Sequence, residues 1–217
     1  MKYCGIFNIE DRTITGGGAL NGHTILHIAC AYRDIEIIDL VFDALEKVNS
    51  DIDFDTRAEG ALPMHHSCMN KNSAAAIHLL RRYPEKINVL NNDWFHEGWH
   101  VLHYACAYGH LKVIKYLLGD QSLNIDINLV DHVGRTPLHI ACFHGQYEVV
   151  KFLLENSKEI GIDITKKTIS QETAEDCARN SSPILSPDYT RSKEHQDIVD
   201  LFEAHRKVDD AEPNQPV

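Results

Sequence analysis

Apolar residues along this chain fall into short segments in which they recur every three or four positions, and polar loops separate the segments. One such segment carries Leu111, Val113, Ile114, Leu117 and Leu118. These spacings place apolar side chains on one face of a helix, so each segment predicts an amphipathic helix. The segments come in pairs, a short one followed by a longer one, and the pairs predict helix-turn-helix units.

The paired segments belong to a repeated sequence. Its clearest copy occupies residues 134–145, and earlier copies begin at Gly22, Gly60 and Gly98. A histidine shared by the four copies stands at positions 27, 65, 103 and 139, so the intervals are 38, 38 and 36 residues. A nearly constant period of this size is typical of stacked repeats, each of which contacts only its neighbours.

The first helix of each pair begins with recognisable local signals. In the clearest copy, Thr136 suits the N-cap and Pro137 suits the first helical position. The second copy is degraded, because Leu62 replaces the capping Thr. A fifth, altered unit follows, in which Asp176 stands 37 residues after His139. We interpret this unit as a terminal cap whose outer face is polar.

The repeated sequence resembles that of ankyrin repeats. The resemblance rests on Gly145 and on the motif before it, which reads Thr136-Pro137-Leu138-His139-Ile140-Ala141. It implies an all-α fold, an ankyrin-repeat solenoid of stacked helix-turn-helix units with hairpin loops. The period exceeds the usual value of about 33 residues, and the extra residues fall after the second helix of each pair.

The repeats predict three segments. Residues 1–20 form an N-terminal lead segment, which either folds as a short hairpin against the first repeat or frays. Residues 21–203 form the ankyrin-repeat domain, with repeats near 21–50, 58–90, 96–127 and 131–163 and an atypical cap at 168–203. Residues 204–217 are predicted to be a disordered tail.

Charge narrows the range of partners. The 217 residues include 32 acidic and 21 basic ones, which gives a formal net charge of −11. A negative chain repels nucleic acid and anionic membrane surfaces, so we predict that it binds neither of them. The same charge favours a partner of basic character.

The cysteines and the apolar runs indicate a soluble protein of a reducing compartment, and we predict a cytoplasmic location. Four of the six cysteines occupy one repeat position. Stacked helices lie about 8–10 Å apart, whereas a disulfide needs Cα atoms within about 7 Å. No apolar run reaches the roughly 18 residues of a membrane span, and the N-terminus lacks the apolar core of a signal peptide.

Catalytic and metal-binding interpretations are weaker than a structural one. Each repeat cysteine has a histidine three residues upstream, but an active site needs one such pair and not four. We therefore predict no enzyme activity and no cofactor. His96, His100 and His103 could form part of a metal site, yet a structural zinc site needs four ligands. We predict no metal site, and a zinc or small-ligand site at residues 96–103 remains the alternative.

Recognition of a protein is the function that the resemblance implies. In ankyrin-repeat stacks the first helices and the hairpin tips line a concave face. Aromatic and Arg residues are enriched where binding energy concentrates. The positions so carried over are Tyr32, Arg57, Asn70, Trp94, Phe95, Trp99, Tyr108, Arg135, Phe143 and His144. We predict a monomeric interaction module or adaptor, and an accessory or regulatory subunit of an enzyme is a further alternative.

Overall fold

A computed structural model describes most of the chain. The described residues are 6–7, 14–15, 24–31, 35–47, 61–90, 98–181 and 193–211. The chain forms two compact units, Met1–Tyr104 and Ala105–Val217. Among the described residues, no helix has both the length and the apolar character needed to span a bilayer.

The first unit begins with a small antiparallel hairpin and continues with paired helices. Its elements are β1 (Ile6–Phe7), β2 (Ile14–Thr15), α1 (Ile25–Ala31), α2 (Ile35–Lys47), α3 (Pro63–Met69) and α4 (Ser73–Arg82). Helix α1 packs against α3, and α2 packs against α4. This packing stacks the first predicted repeat on the second.

The boundary between the units falls inside helix α5 (Val101–Ala107). The elements that follow are α6 (Leu111–Gly119), α7 (Pro137–Phe143), α8 (Tyr147–Glu155), α9 (Ser157–Ile160), α10 (Ala174–Asn180) and α11 (Lys193–Ala211). In the second unit, α10 packs against α7, and α11 packs against both α8 and α10. The altered fifth unit is therefore a helix pair stacked on the fourth repeat.

The residues that lengthen the period form short helical turns after the second helix of a pair. A 3-10 turn, Pro84–Lys86, follows α4, and another, Gln121–Leu123, follows α6. After α8 the chain forms the four-residue helix α9, which ends at Gly161 with a left-handed φ of 65°. The added residues therefore follow the second helices in the chain, and the first helices stay short.

The core of each unit comes from the apolar stripes that the sequence predicts. In α8 the buried residues are Val149, Val150, Leu153 and Leu154. The cysteines of the repeat position and of α10, namely Cys30, Cys68, Cys106, Cys142 and Cys177, are all buried and unbridged. Burial raises the pKa of the Cys30 and Cys68 thiols to about 12. These thiols are protonated packing groups.

The C-terminal boundary differs from the prediction. The sequence placed a disordered tail at 204–217, whereas α11 continues to Ala211. Phe202 and Ile198 are buried, and His205 contacts the carbonyl oxygen of Leu154 at 3.2 Å. Helix α11 thus continues past Phe202, the last residue of its apolar stripe, and His205 in this extension contacts α8.

Candidate partner-binding surface

The repeated histidine organises the start of each first helix. In the fourth repeat, the Thr136 backbone N donates to His139 Nδ1 at 3.2 Å, and Thr136 Oγ1 lies 2.7 Å from the same nitrogen. The His139 backbone N donates to Thr136 Oγ1 at 3.4 Å. These reciprocal bonds satisfy donors that a helix N-terminus otherwise leaves unpaired. The predicted N-cap role of Thr136 is confirmed.

The same histidine also bonds to the following loop. His139 Nε2 lies 3.2 Å from the carbonyl oxygen of Glu172, and His27 Nε2 lies 3.1 Å from that of Ala61. A carbonyl can only accept, so Nε2 carries the proton and Nδ1 is the acceptor for the cap. Burial lowers the pKa of His139, which keeps the ring neutral. The repeated histidines are scaffold residues.

Arg135 lies in the hairpin before α7, where it shapes the loop. Its Nε donates to Asp131 Oδ2 at 2.7 Å, and its backbone N donates to Asp131 Oδ1 at 2.8 Å. The Asp131 side chain is only 1% exposed. Because the guanidinium already pairs with this buried carboxylate, Arg135 acts first as a positioning residue of the hairpin.

Phe143 and His144 form the exposed end of α7. Phe143 is 47% exposed, although the six residues before it in α7 are buried. The His144 ring meets the Phe143 ring edge-on, with 5.3 Å between centroids. His195 of α11 donates from Nε2 to the Phe143 carbonyl oxygen at 3.0 Å. The backbone that carries the exposed aromatic is thus fixed by the cap.

Trp99 does not have the exposure that the sequence suggested. It is only 3% exposed, and its ring packs edge-on against Tyr104 with 5.1 Å between centroids. It also stacks on His103 at 6.2 Å. The first helix of the third repeat provides these rings, so Trp99 fills the core of the first unit. The prediction that Trp99 contacts a partner is corrected accordingly.

The remaining candidate residues differ in what the structure shows. Asn70 is exposed at the end of α3, where its Nδ2 donates to the His66 carbonyl oxygen at 2.9 Å. Tyr108 is half-buried in the turn between α5 and α6. Four predicted contact residues lie outside the described residues, namely Tyr32, Arg57, Trp94 and Phe95.

A comparison with protein families matches the middle of the chain. Residues 64–168 match the model described as ankyrin repeats, three copies. Residues 64–168 therefore carry ankyrin repeats. This confirms the predicted family and the predicted all-α fold of stacked helix-turn-helix repeats. A search of the curated proteins finds no match to the chain.

Ankyrin repeats generally mediate protein–protein interaction, and proteins built from them are typically not enzymes. In this chain, burial raises the pKa of the Cys142 thiol well above its ordinary value. A protonated, inaccessible thiol is a poor nucleophile. The repeated Cys–His pairs are therefore explained by packing and capping.

The histidines at 100 and 103 have structural roles as well. His100 Nδ1 accepts from the Leu102 backbone N at 3.1 Å, and His100 Nε2 lies 3.1 Å from Asn88 Oδ1. His103 Nδ1 accepts from the His100 backbone N. Burial lowers the pKa of His100 to about 3. Among the described residues, no group of three His, Cys, Asp or Glu side chains could hold a metal ion; His96 lies outside them.

Two exposed apolar residues at the hairpin tips were missed in the sequence. Val133 is 48% exposed and Ile169 is 71% exposed, and the Ile169 backbone N donates to the Val133 carbonyl oxygen at 3.0 Å. Gly134 between them has φ of 80°, and a Cβ there would lie 3.0 Å from the Ile169 N. The position of Val133 could have been recognised in the sequence, because it directly precedes Gly134, the first residue of the repeated sequence.

Proposed function

We propose that the chain is a non-catalytic interaction module that binds a partner protein through the second unit. The proposed surface has two parts, the end of α7 at Phe143 and His144 and the hairpin tips at Val133 and Ile169. The observation that carries the proposal is the exposure of Phe143. Aromatic side chains at the surface are frequent sources of binding energy.

Comparison with the other repeats supports a role for Phe143 beyond packing. The equivalent position is Ala31 in the first repeat, Met69 in the second and Ala107 in the third. Ala107 is 3% exposed, so an alanine fills this position of the stack. The fourth repeat has a much larger apolar residue there and leaves about half of it in water. A structural role would be met by a smaller side chain, whereas contact with a partner explains the ring.

The proposed partner is basic. The net charge of −11 creates an attractive field for a cationic surface. Such attraction mainly accelerates association, so the association rate falls as salt concentration rises. An association rate that does not change between low and high salt contradicts this part of the proposal and leaves the surface itself untested by that measurement.

The test compares two substitutions of equal exposure in the full chain. A partner captured by the wild-type protein is purified and titrated against Phe143→Ala, with Leu90→Ala as the control because Leu90 is 46% exposed in the first unit. Removing an aromatic anchor is expected to weaken binding about 30-fold, or about 2 kcal/mol. The control is expected to bind normally. Equal affinities for wild type and Phe143→Ala, with unchanged melting temperature, contradict the proposed surface.

The proposal includes a monomeric chain in the cytoplasm and an adaptor role. The unbridged, buried cysteines support a reducing compartment. The alternative of an accessory subunit predicts that the captured partner is an enzyme whose activity changes on binding. The assay for that alternative uses the same captured protein, so one purification tests both.

A further inference from the structure

The first repeat has an apolar groove at its surface, in addition to the apolar side chains that it contributes to the core. The groove has a volume of about 200 Å³ and is lined by Ile25, Ile28, Ala29, Ile37 and Val41. Ile25 is 41% exposed and Ile37 is 38% exposed. Leu26 and Ile38, the next residues of α1 and α2, are buried. Both helices therefore carry apolar side chains on two faces, one in the core and one along the groove.

Helix α2 extends the groove into an exposed apolar stripe. Ile37, Leu40, Val41 and Ala44 stand at positions i, i+3, i+4 and i+7, which share one face of a helix. Leu40 is 66% exposed, and Ala44 is exposed as well. A surface helix normally carries polar residues opposite its core stripe. A second apolar stripe at this spacing is typical of a surface that packs against another helix.

The second repeat shows what this face of a repeat accommodates. The interval of 38 residues between the first two copies makes His78 of α4 the equivalent of Leu40, and Ala75 the equivalent of Ile37. His78 contacts the preceding repeat, because its Nε2 lies 2.8 Å from Asp39 Oδ1 of α2. Ala75 is fully buried. In the second repeat a helix thus packs on the face that, in the first repeat, carries the exposed stripe.

Acidic residues border the stripe on one side. Glu36 and Asp43 are exposed and stand seven positions apart, so they lie one above the other on α2, next to Leu40. Their Cα atoms are separated by about 10 Å along the helix axis. On its other side the stripe meets α1 across the groove. A helix seated in the groove therefore has negative charge along one edge, which favours Lys or Arg side chains there.

The same charges disfavour a second copy of this chain in the groove. In a symmetric dimer the same surface of two copies meets face to face. Glu36 and Asp43 of one copy would then lie near the same residues of the other, and like charges across an interface oppose association. Each copy also has a net charge of −11. A basic helix of another protein meets attraction where a second copy meets repulsion.

We propose that the groove of the first repeat binds an amphipathic, basic helix of a partner protein. The bound helix places large apolar side chains over Ile37 and Leu40, and places Lys or Arg side chains two turns apart beside Glu36 and Asp43. This surface belongs to the first unit and uses none of the residues of the surface proposed around Phe143. Each of the two proposals can therefore fail while the other holds.

Titration of the full chain with designed peptides tests the chemistry of the occupant. The probe is a fluorescein-labelled helical peptide of Leu and Lys, about 14 residues long, with a Leu stripe and Lys along one flank. One control peptide has Glu in place of Lys, and another has the same composition as the probe in scrambled order. The probe is expected to bind at least about tenfold more tightly than either control. Equal binding of the scrambled peptide overturns the proposal, because net charge alone would then account for the affinity.

Two pairs of variants test the site. Leu40→Ser changes a largely exposed residue, so the fold is expected to survive it, and affinity for the probe is expected to fall about tenfold. Its matched control is Ile169→Ser, because Ile169 is 71% exposed in the second unit. Asp43→Asn is expected to weaken binding about threefold, whereas Glu159→Gln, an equal change of charge in α9, is expected to leave it unchanged. Unchanged affinity for Leu40→Ser overturns the proposal.

Hydrogen exchange shows where the probe binds. The bound peptide is expected to slow amide exchange in α1 and α2 and to leave α7 and α8 unchanged. Phe143→Ala is expected to bind the probe like wild type. A loss of binding in Phe143→Ala but not in Leu40→Ser places the probe on the other surface and overturns this inference alone. A concentration-dependent dimer that Leu40→Ser abolishes assigns the groove to a second copy and also overturns it.

Discussion

The fourth repeat and the terminal unit begin their first helices with the same hydrogen-bond pattern but different residues. In the fourth repeat Thr136 Oγ1 lies 2.7 Å from His139 Nδ1, and in the terminal unit Thr173 Oγ1 donates to Asp176 Oδ2 at 2.7 Å. The two residues differ in a second bond. The other ring nitrogen of His139, Nε2, also bonds to the carbonyl oxygen of Glu172 in the next loop.

This difference matches the change from histidine to aspartate at this position. In the first and fourth repeats the histidine caps its own helix and also bonds to the loop that follows, and imidazole offers an acceptor and a donor for these two tasks. In the terminal unit, Asp176 takes part in the first of these tasks, the helix cap. An aspartate performs it well, because a carboxylate at a helix N-terminus also interacts favourably with the helix dipole.

The largest effect is expected from removing the internal histidine. His139→Ala leaves the Thr136 N–H and the Glu172 carbonyl without their partner and opens a cavity at a side chain that is buried in the wild type. These losses together are expected to lower the free energy of unfolding by about 3 kcal/mol. Urea denaturation followed by circular dichroism measures it. A loss below about 1 kcal/mol contradicts the double role of His139.

The matched control for this prediction is His139→Asn. Asparagine can still accept from the Thr136 backbone N but does not reach the Glu172 carbonyl. It is therefore expected to cost less than alanine, about 1–2 kcal/mol. Equal costs for the two variants would mean that the cap contributes nothing and that the cost comes from the lost bond to Glu172 and the lost ring volume.

Lowering the pH is expected to destabilise the cap of the fourth repeat before that of the terminal unit. The loss of stability is expected to be smaller than for His139→Ala, because a protonated imidazole still fills its site. Burial lowers the pKa of His139 from 6.5, and hydrogen bonds from Thr173 lower that of Asp176 from 3.8. In both cases the folded state holds its proton less tightly than the unfolded state. Each contribution to stability is complete above the unfolded pKa and is lost as pH falls through the folded pKa.

The contribution of His139 therefore begins to fall below pH 6.5, and that of Asp176 only below pH 3.8. Melting temperatures of wild type, His139→Asn and Asp176→Asn between pH 7.5 and about 4 check this prediction. As pH falls over that range, the difference in melting temperature between wild type and His139→Asn should decrease. The difference in melting temperature between wild type and Asp176→Asn should stay constant. A melting-temperature difference that stays constant for both variants contradicts the predicted pH dependence of His139.

The smallest effect is expected from the terminal cap. Asp176→Ala removes the acceptor of the Thr173 N–H and hydroxyl bonds and is expected to cost about 1 kcal/mol. Asp176→His, which restores the residue of the internal repeats, should recover part of that loss because its Nδ1 can accept again. Thermal denaturation of both variants measures their loss of stability relative to wild type. A cost for Asp176→His that exceeds the cost for alanine would show that the terminal unit requires the negative charge.

The sequence predicted features that depend on neighbours along the chain. The cap at Thr136, the short first helices and the cysteine packing position all follow from a local pattern seen several times. The candidate contact residues were predicted less well. Trp99 is buried by the rings of His103 and Tyr104, and Arg135 is held by Asp131. Both residue types are common at interfaces, so composition alone could not separate a contact from a core role.

The sequence by itself determined the repeat period, the ankyrin-type motif and the replacement of histidine by aspartate in the last unit. These are properties of spacing and local hydrogen bonding, which a linear pattern carries. Only the tertiary structure decided which large apolar residues stay in water, such as Phe143 and Ile169, and which fill the core, such as Trp99. The physical reason is that exposure depends on side chains from other helices, and the repeat pattern gives no measure of how much surface they cover.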